Sequence, residues 1–169
     1  NQTIFLDLKL NDIPNTVRSA MKSLKDLKIS YLTVHLSSGL SALKALKKES
    51  KNIKIVGVTT LTSLNNKNLK EIGYNKKVNE LVRHQAKLAA KAKLDAIVCS
   101  GHEIRLVKKV FKKEVITPGI KMKNTQNDQK RIMKPKDAFA AGSDWLVIGR
   151  SITNGNIKKN IKYFLENCL

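Results

Sequence analysis

The residues best suited to chemistry in this chain are Asp7, Lys9 and Asp12, within Phe5-Leu6-Asp7-Leu8-Lys9-Leu10-Asn11-Asp12. With the two-residue period of a strand, Leu6, Leu8 and Leu10 share one face and Phe5, Asp7 and Lys9 the other, so an acid and a base point the same way. On a half-buried strand that charged face would simply look at water. The following strands, however, are nearly all apolar, the pattern of a parallel sheet covered on both faces. Asp7 and Lys9 are then expected to point into the protein as a pair, because an unpaired buried charge is costly. Asp12 follows just past the strand end, where parallel α/β proteins keep their chemistry. The three together form a candidate functional cluster.

The elements that must position this cluster alternate regularly. Asp12 and Pro14 suit a turn into a helix over 16–27, with Val17, Ala20, Met21 and Leu24 as its buried stripe. Strands are expected over 31–36, 53–60, 96–100, 115–118 and 145–149. Helices are expected from 39 to about 48, briefly within 64–75, and over 78–93, 103–111, 135–141 and 157–167, while 119–130 reads as a polar loop. Six strands in alternation with helices fit right-handed parallel crossovers. A doubly wound sheet would usually show a glycine-rich first turn, and no G-x-G-x-x-G follows any strand. The expected fold is therefore α/β, most of a TIM (β/α)8 barrel. The chain opens directly in front of a strand, so 1–169 is expected to be one domain supplying strands three to eight, with the first two βα units absent.

Composition narrows the function classes. At 169 residues the chain can bury a sizeable core, its apolar runs are too short to span a bilayer, and no signal-peptide pattern opens it. Cys99 and Cys168 match no metal-ligand spacing and read as reduced thiols in a cytoplasmic protein. The formal charge of +20 invites a nucleic-acid reading, but the lysines are spread along the whole chain. Lys108, Lys109, Lys112 and Lys113 lie across from Ile104, Val107 and Phe111, as on a solvated helix face. The eight aromatics form no stacking platform beside basic clusters. Attraction of a small anionic substrate is the favoured use of the charge, and neither a specific nucleic-acid partner nor a membrane is expected.

A set of motifs then points to one family. These are Phe5-Leu6-Asp7-Leu8-Lys9 through Asp12-Ile13-Pro14-Asn15-Thr16, Val34-His35, Val58-Thr59 with Leu61-Thr62-Ser63, and Val98-Cys99-Ser100. Thr117-Pro118-Gly119-Ile120, Asp128-Gln129-Lys130-Arg131-Ile132 and Val147-Ile148-Gly149-Arg150 complete it. In this order and over essentially the whole length, the chain resembles the orotidine 5′-phosphate decarboxylases. The resemblance implies a homodimeric barrel that converts orotidine 5′-monophosphate to uridine 5′-monophosphate and CO2 in pyrimidine biosynthesis, without metal or organic cofactor. It implies that Lys9, flanked by Asp7, protonates C6, and that Asp12 reaches the partner subunit's active site with Thr16 beside it. It further implies that Thr62 contacts the pyrimidine edge, and that Lys121, Gln129, Gly149 and Arg150 hold the phosphate.

The chain departs from the family pattern in two places. Lys121 stands where the family's phosphate loop normally carries Arg, which keeps the charge and loses the bidentate fork. The family's first two strands supply an Asp that binds the ribose and a Lys that completes the charged tetrad, and neither is found in this sequence. Two other readings remain open: a magnesium-dependent sugar-phosphate decarboxylase or aldolase of the same superfamily, and a non-catalytic, phosphate-binding barrel fragment. His35, His84 and His102 are read as structural, and Cys99 as a small hydrophobe within a buried strand.

Overall fold

The structure, a computed structural model, describes residues 2–122 and 133–169. Six strands, β1 (Phe5–Leu10), β2 (Tyr31–His35), β3 (Lys54–Val58), β4 (Ala96–Val98), β5 (Glu114–Thr117) and β6 (Trp145–Leu146), form one sheet. Every neighbouring pair is parallel, and the spatial order is the sequence order. An unreversed order is the winding of a (β/α) barrel, whereas a doubly wound sheet reverses at a switch point.

Helices return the chain between strands: α1 (Pro14–Leu24), α2 (Gly39–Glu49), α3 (Asn66–Glu71), α4 (Val78–Lys91), α5 (Ile104–Val110), α6 (Pro135–Ala141), α7 (Arg150–Thr153) and α8 (Ile157–Asn167). Alternate strand residues serve two compartments. Leu32, Val34, Ile55, Ile97 and Val115 face the helices and pack with Leu43, Leu46, Val82, Ala86, Ile104 and Val107. Tyr31, Val56, Ala96 and Ile116, with Phe5 and Val98, fill the inner side. Gly57 lies where β3 meets its cover, since a Cβ there would come within 2.7 Å of Leu36 Cδ2.

Several boundaries differ from expectation, each for a local reason. The first helix begins at Pro14, because proline lacks an N–H and the first turn of a helix offers none of its own carbonyls to receive one, and it ends at Leu24 in a turn closed by the Leu27 N–H to the Leu24 carbonyl. β3, β4 and β6 are shorter than their apolar runs: after Leu146 a single Val147 N–H to Thr117 carbonyl bond of 2.9 Å continues the ladder, and Gly149 then turns the chain into α7, which the sequence reading left out. α5 ends at Val110, so Lys112 and Lys113 are not on a helix. Lys108 does not lie free on a solvated face either, since its ammonium donates to Asp144 at 2.7 Å. The expected burial of Ile104, Val107 and Phe111 holds, and so do the bounds of α6 and α8.

The inner side carries a polar network at the N-terminal ends of the strands. Tyr31, Lys54, Glu114 and Trp145 each open a strand. The Tyr31 hydroxyl and the Trp145 indole N–H donate to Glu114 Oε2 at 2.7 and 2.9 Å, and Lys54 pairs with the other carboxylate oxygen. The Lys54 ammonium also stands 5.1 Å from the centre of the Tyr31 ring. Burial works to raise the Glu114 pKa, but the hydrogen bonds from Lys54, Tyr31 and Trp145 outweigh it and hold the carboxyl below its ordinary value.

Candidate active site

Asp7 and Lys9 stand near the C-terminal end of β1, at the opposite end of the sheet from the Glu114 network. Strict alternation fails there. Leu6 pairs with Leu32 and Leu10 with Val34, so β1 carries extra residues against β2, and Lys9 adopts φ 50. Leu6 and Leu10 pack on the core as expected, but Leu8, assigned to the same face, is half exposed. The expectation that Asp7 and Lys9 are buried is corrected too: their side chains are 44% and 41% exposed. They lie at the open end of the outermost strand of the described sheet, and the expected pairing is present, the Lys9 ammonium bonding Asp7 Oδ2.

A residue the sequence reading passed over joins this pair. The Thr33 hydroxyl, on β2, donates to Asp7 Oδ1 at 2.9 Å and accepts the Lys9 backbone N–H at 2.8 Å. His35, two residues on, feels the same charges. Burial first, then the Lys9 cation, lowers its pKa, with Asp7 opposing.

The following turn is also tethered. Asn11 Oδ1 accepts from the Ser38 hydroxyl at 2.9 Å, and Asp12 Oδ1 accepts from the Ile13 N–H at 2.7 Å. Asp12 and Thr16 are exposed, and among the described residues no ion pair joins Asp12 to Lys9. Thr62 follows β3 in a loop anchored at Thr60, whose N–H and hydroxyl both reach Gln85 Oε1 on α4, at 2.9 and 3.1 Å.

Lys121, Gly149 and Arg150 meet in a cavity of about 260 Å3 between the loops after β5 and β6, beside Pro118 and Ser151. Gly119, at φ 75, makes the turn that lets the Lys121 N–H reach the Met133 carbonyl at 3.2 Å. Gln129 and the rest of the Asp128-Gln129-Lys130-Arg131-Ile132 motif lie outside the described residues. Cys99 and Cys168 are buried free thiols, and burial pushes the Cys99 thiol pKa up. Among the described residues no three His, Cys, Asp or Glu side chains converge as metal ligands, and no helix is long and apolar enough to cross a membrane.

A family model described as orotidine 5′-phosphate decarboxylase / HUMPS matches residues 1–160. The chain belongs to this family. Relatives named orotidine 5′-phosphate decarboxylase from Streptococcus uberis and Bacillus mycoides are each 44% identical to it, over 156 and 162 residues, covering 89% of this chain and 68% of theirs. The crystal structure of the Lactobacillus acidophilus orotidine 5′-phosphate decarboxylase superposes with a TM-score of 0.83 at 30% identity, over 98% of this chain and 75% of that one. The Methanocaldococcus jannaschii enzyme, complexed with the inhibitor BMP, matches at 0.77 over 99% and 74%; at 23% identity it speaks for the fold alone. The described sheet is thus the greater part of the family's barrel.

Proposed function

We propose that this chain is a carboxy-lyase that converts orotidine 5′-monophosphate to uridine 5′-monophosphate in pyrimidine biosynthesis, acting in the cytoplasm as a homodimer. The observation that carries this reading is the placement of two groups of residues in a chain of this family. The Asp7–Lys9 pair and the Lys121–Gly149–Arg150 cavity both lie at the C-terminal end of one parallel sheet. The six strands correspond to strands three to eight of the family's barrel.

Loss of CO2 leaves a carbanion at C6. A cation already held beside that carbon stabilises the charge as it develops, and this lowers the reaction's transition state more than the bound ground state. Lys9 is that cation, and its ammonium delivers the proton that completes the product. Asp7 orients the ammonium through the bond between them. Facing the substrate carboxylate, Asp7 also raises the energy of the bound ground state, a repulsion relieved as CO2 departs. Lys121, Gln129, Gly149 and Arg150 hold the phosphate, Thr62 meets the pyrimidine edge, and Asp12 with Thr16 completes the partner's site. A single charge contact at about 4 Å is worth on the order of 4 kcal/mol at an effective dielectric of 20, so several must act together.

The test is release of CO2 and appearance of uridine 5′-monophosphate from orotidine 5′-monophosphate, with and without a chelator. Turnover unaffected by chelation supports the reading. Turnover only of a sugar phosphate, dependent on added magnesium, favours the sugar-phosphate enzyme of the same superfamily. Nucleotide binding without turnover favours a non-catalytic barrel.

A further inference from the structure

The geometry points to Thr33 as the positioning residue that sets Lys9 for proton delivery, an inference that rests on the function proposed above. Thr33 is wholly buried, lies on the neighbouring strand, and touches both members of the pair with one oxygen. The hydroxyl proton goes to the Asp7 carboxylate, and a lone pair receives the Lys9 N–H.

These two bonds do different work. Lys9 occupies φ 50, a conformation disfavoured for a residue with a Cβ, and the strand there is out of simple register with β2. Its N–H therefore has no ladder carbonyl to meet, and the Thr33 oxygen takes that place. The bond holds the backbone from which the lysine side chain leaves the strand. The second bond fixes the rotation of the Asp7 carboxylate, whose other oxygen carries the Lys9 ammonium. Thr33 thus constrains Lys9 from its main chain and from its tip, without touching the substrate. Valine would fill the same space and supply neither bond, whereas serine keeps both.

The experiment compares Thr33→Val, Thr33→Ala and Thr33→Ser in the full-length enzyme. The readouts are kcat and KM for orotidine 5′-monophosphate, and hydrogen exchange at the Lys9 amide. In the hydroxyl-free variants kcat is expected to fall on the order of tenfold to a hundredfold, since small misplacement of a reacting group costs that much, with KM within about threefold. The Lys9 amide is expected to lose protection, and Thr33→Ser to restore both properties. Unchanged kcat in Thr33→Val, or loss in Thr33→Ser as deep as in Thr33→Val, overturns the inference. So does failure of both hydroxyl-free variants to fold while Thr33→Ser folds, which would make the role purely structural. A wild-type enzyme inert toward orotidine 5′-monophosphate would instead overturn the proposed reaction, and the Lys9 amide would still report whether Thr33 holds it.

Discussion

Lys9 is held twice, by Asp7 at its ammonium and by Thr33 at its N–H, and this makes it the residue whose removal separates chemistry from binding. Lys9→Ala is expected to cut decarboxylation by about 10²–10⁴-fold or more, the range of a positioned proton donor, while product binding persists through the phosphate loops. Turnover within tenfold of the parent would remove Lys9 from the mechanism. The pairing of Asp7 with Lys9 was legible in the sequence, although the strict alternation it was read from fails at Lys9. Their half-exposed setting was not, since the positive φ at Lys9, where β1 leaves its register with β2, is not written in the alternation. Thr33 gave no signal either: in an apolar strand a threonine reads as one more β-branched residue.

Among the elements, the loops after β5 and β6 carry the cavity proposed to hold the phosphate, and the strand starts carry the Glu114 network. Arg150→Ala should weaken phosphate-bearing ligands by roughly 1.5–3 kcal/mol, or about ten- to a hundredfold in KM, and leave unphosphorylated nucleoside binding unchanged. Equal losses for both ligands in a titration would move the phosphate elsewhere. Glu114 makes a prediction about pH. Its folded pKa is depressed, so its stabilisation is present above the unfolded value of about 4.5 and is lost as pH falls through the folded one. His35, also depressed, acts in the same direction from about pH 6.5 downward. Urea midpoints of the parent should therefore drop on acidification, and Glu114→Gln should show a lower midpoint at neutral pH with a flatter decline below pH about 4.5. An identical acid decline in the two proteins would show that the network does not carry this dependence. The sequence reading placed Lys54 within a strand and Glu114 just before one and singled out neither, because the convergence of Tyr31, Lys54 and Trp145 on the Glu114 carboxylate depends on the stagger of four strands.

For the whole molecule, the proposal is a two-fold dimer in which each site combines Lys9 of one chain with Asp12 of the other. Asp12 sits in a turn tethered by Asn11 to Ser38 and makes no ion pair with Lys9 of its own chain among the described residues. Full-length Lys9→Ala and Asp12→Ala proteins, each inactive, should complement one another when refolded together. A hybrid dimer then has one doubly lesioned site and one intact site, so an equal mixture should recover about a quarter of the wild-type sites. Hybrid dimers that form and remain inactive would place Asp12 in its own chain's site.

The sequence by itself determined the alternation of six strands with helices, the apolar strands of a covered parallel sheet, the bounds of α6 and α8, and the motifs that mark the family. These are local or near-local properties, written in periods of two and 3.6 and in short runs of residues. The tertiary structure alone decided which side chains from different strands meet: Thr33 with the Asp7–Lys9 pair, Lys121 with Gly149 and Arg150, and Glu114 with Tyr31, Lys54 and Trp145. Such meetings are set by the register between strands and by where a strand leaves it, and register is a relation between distant segments that no single segment encodes.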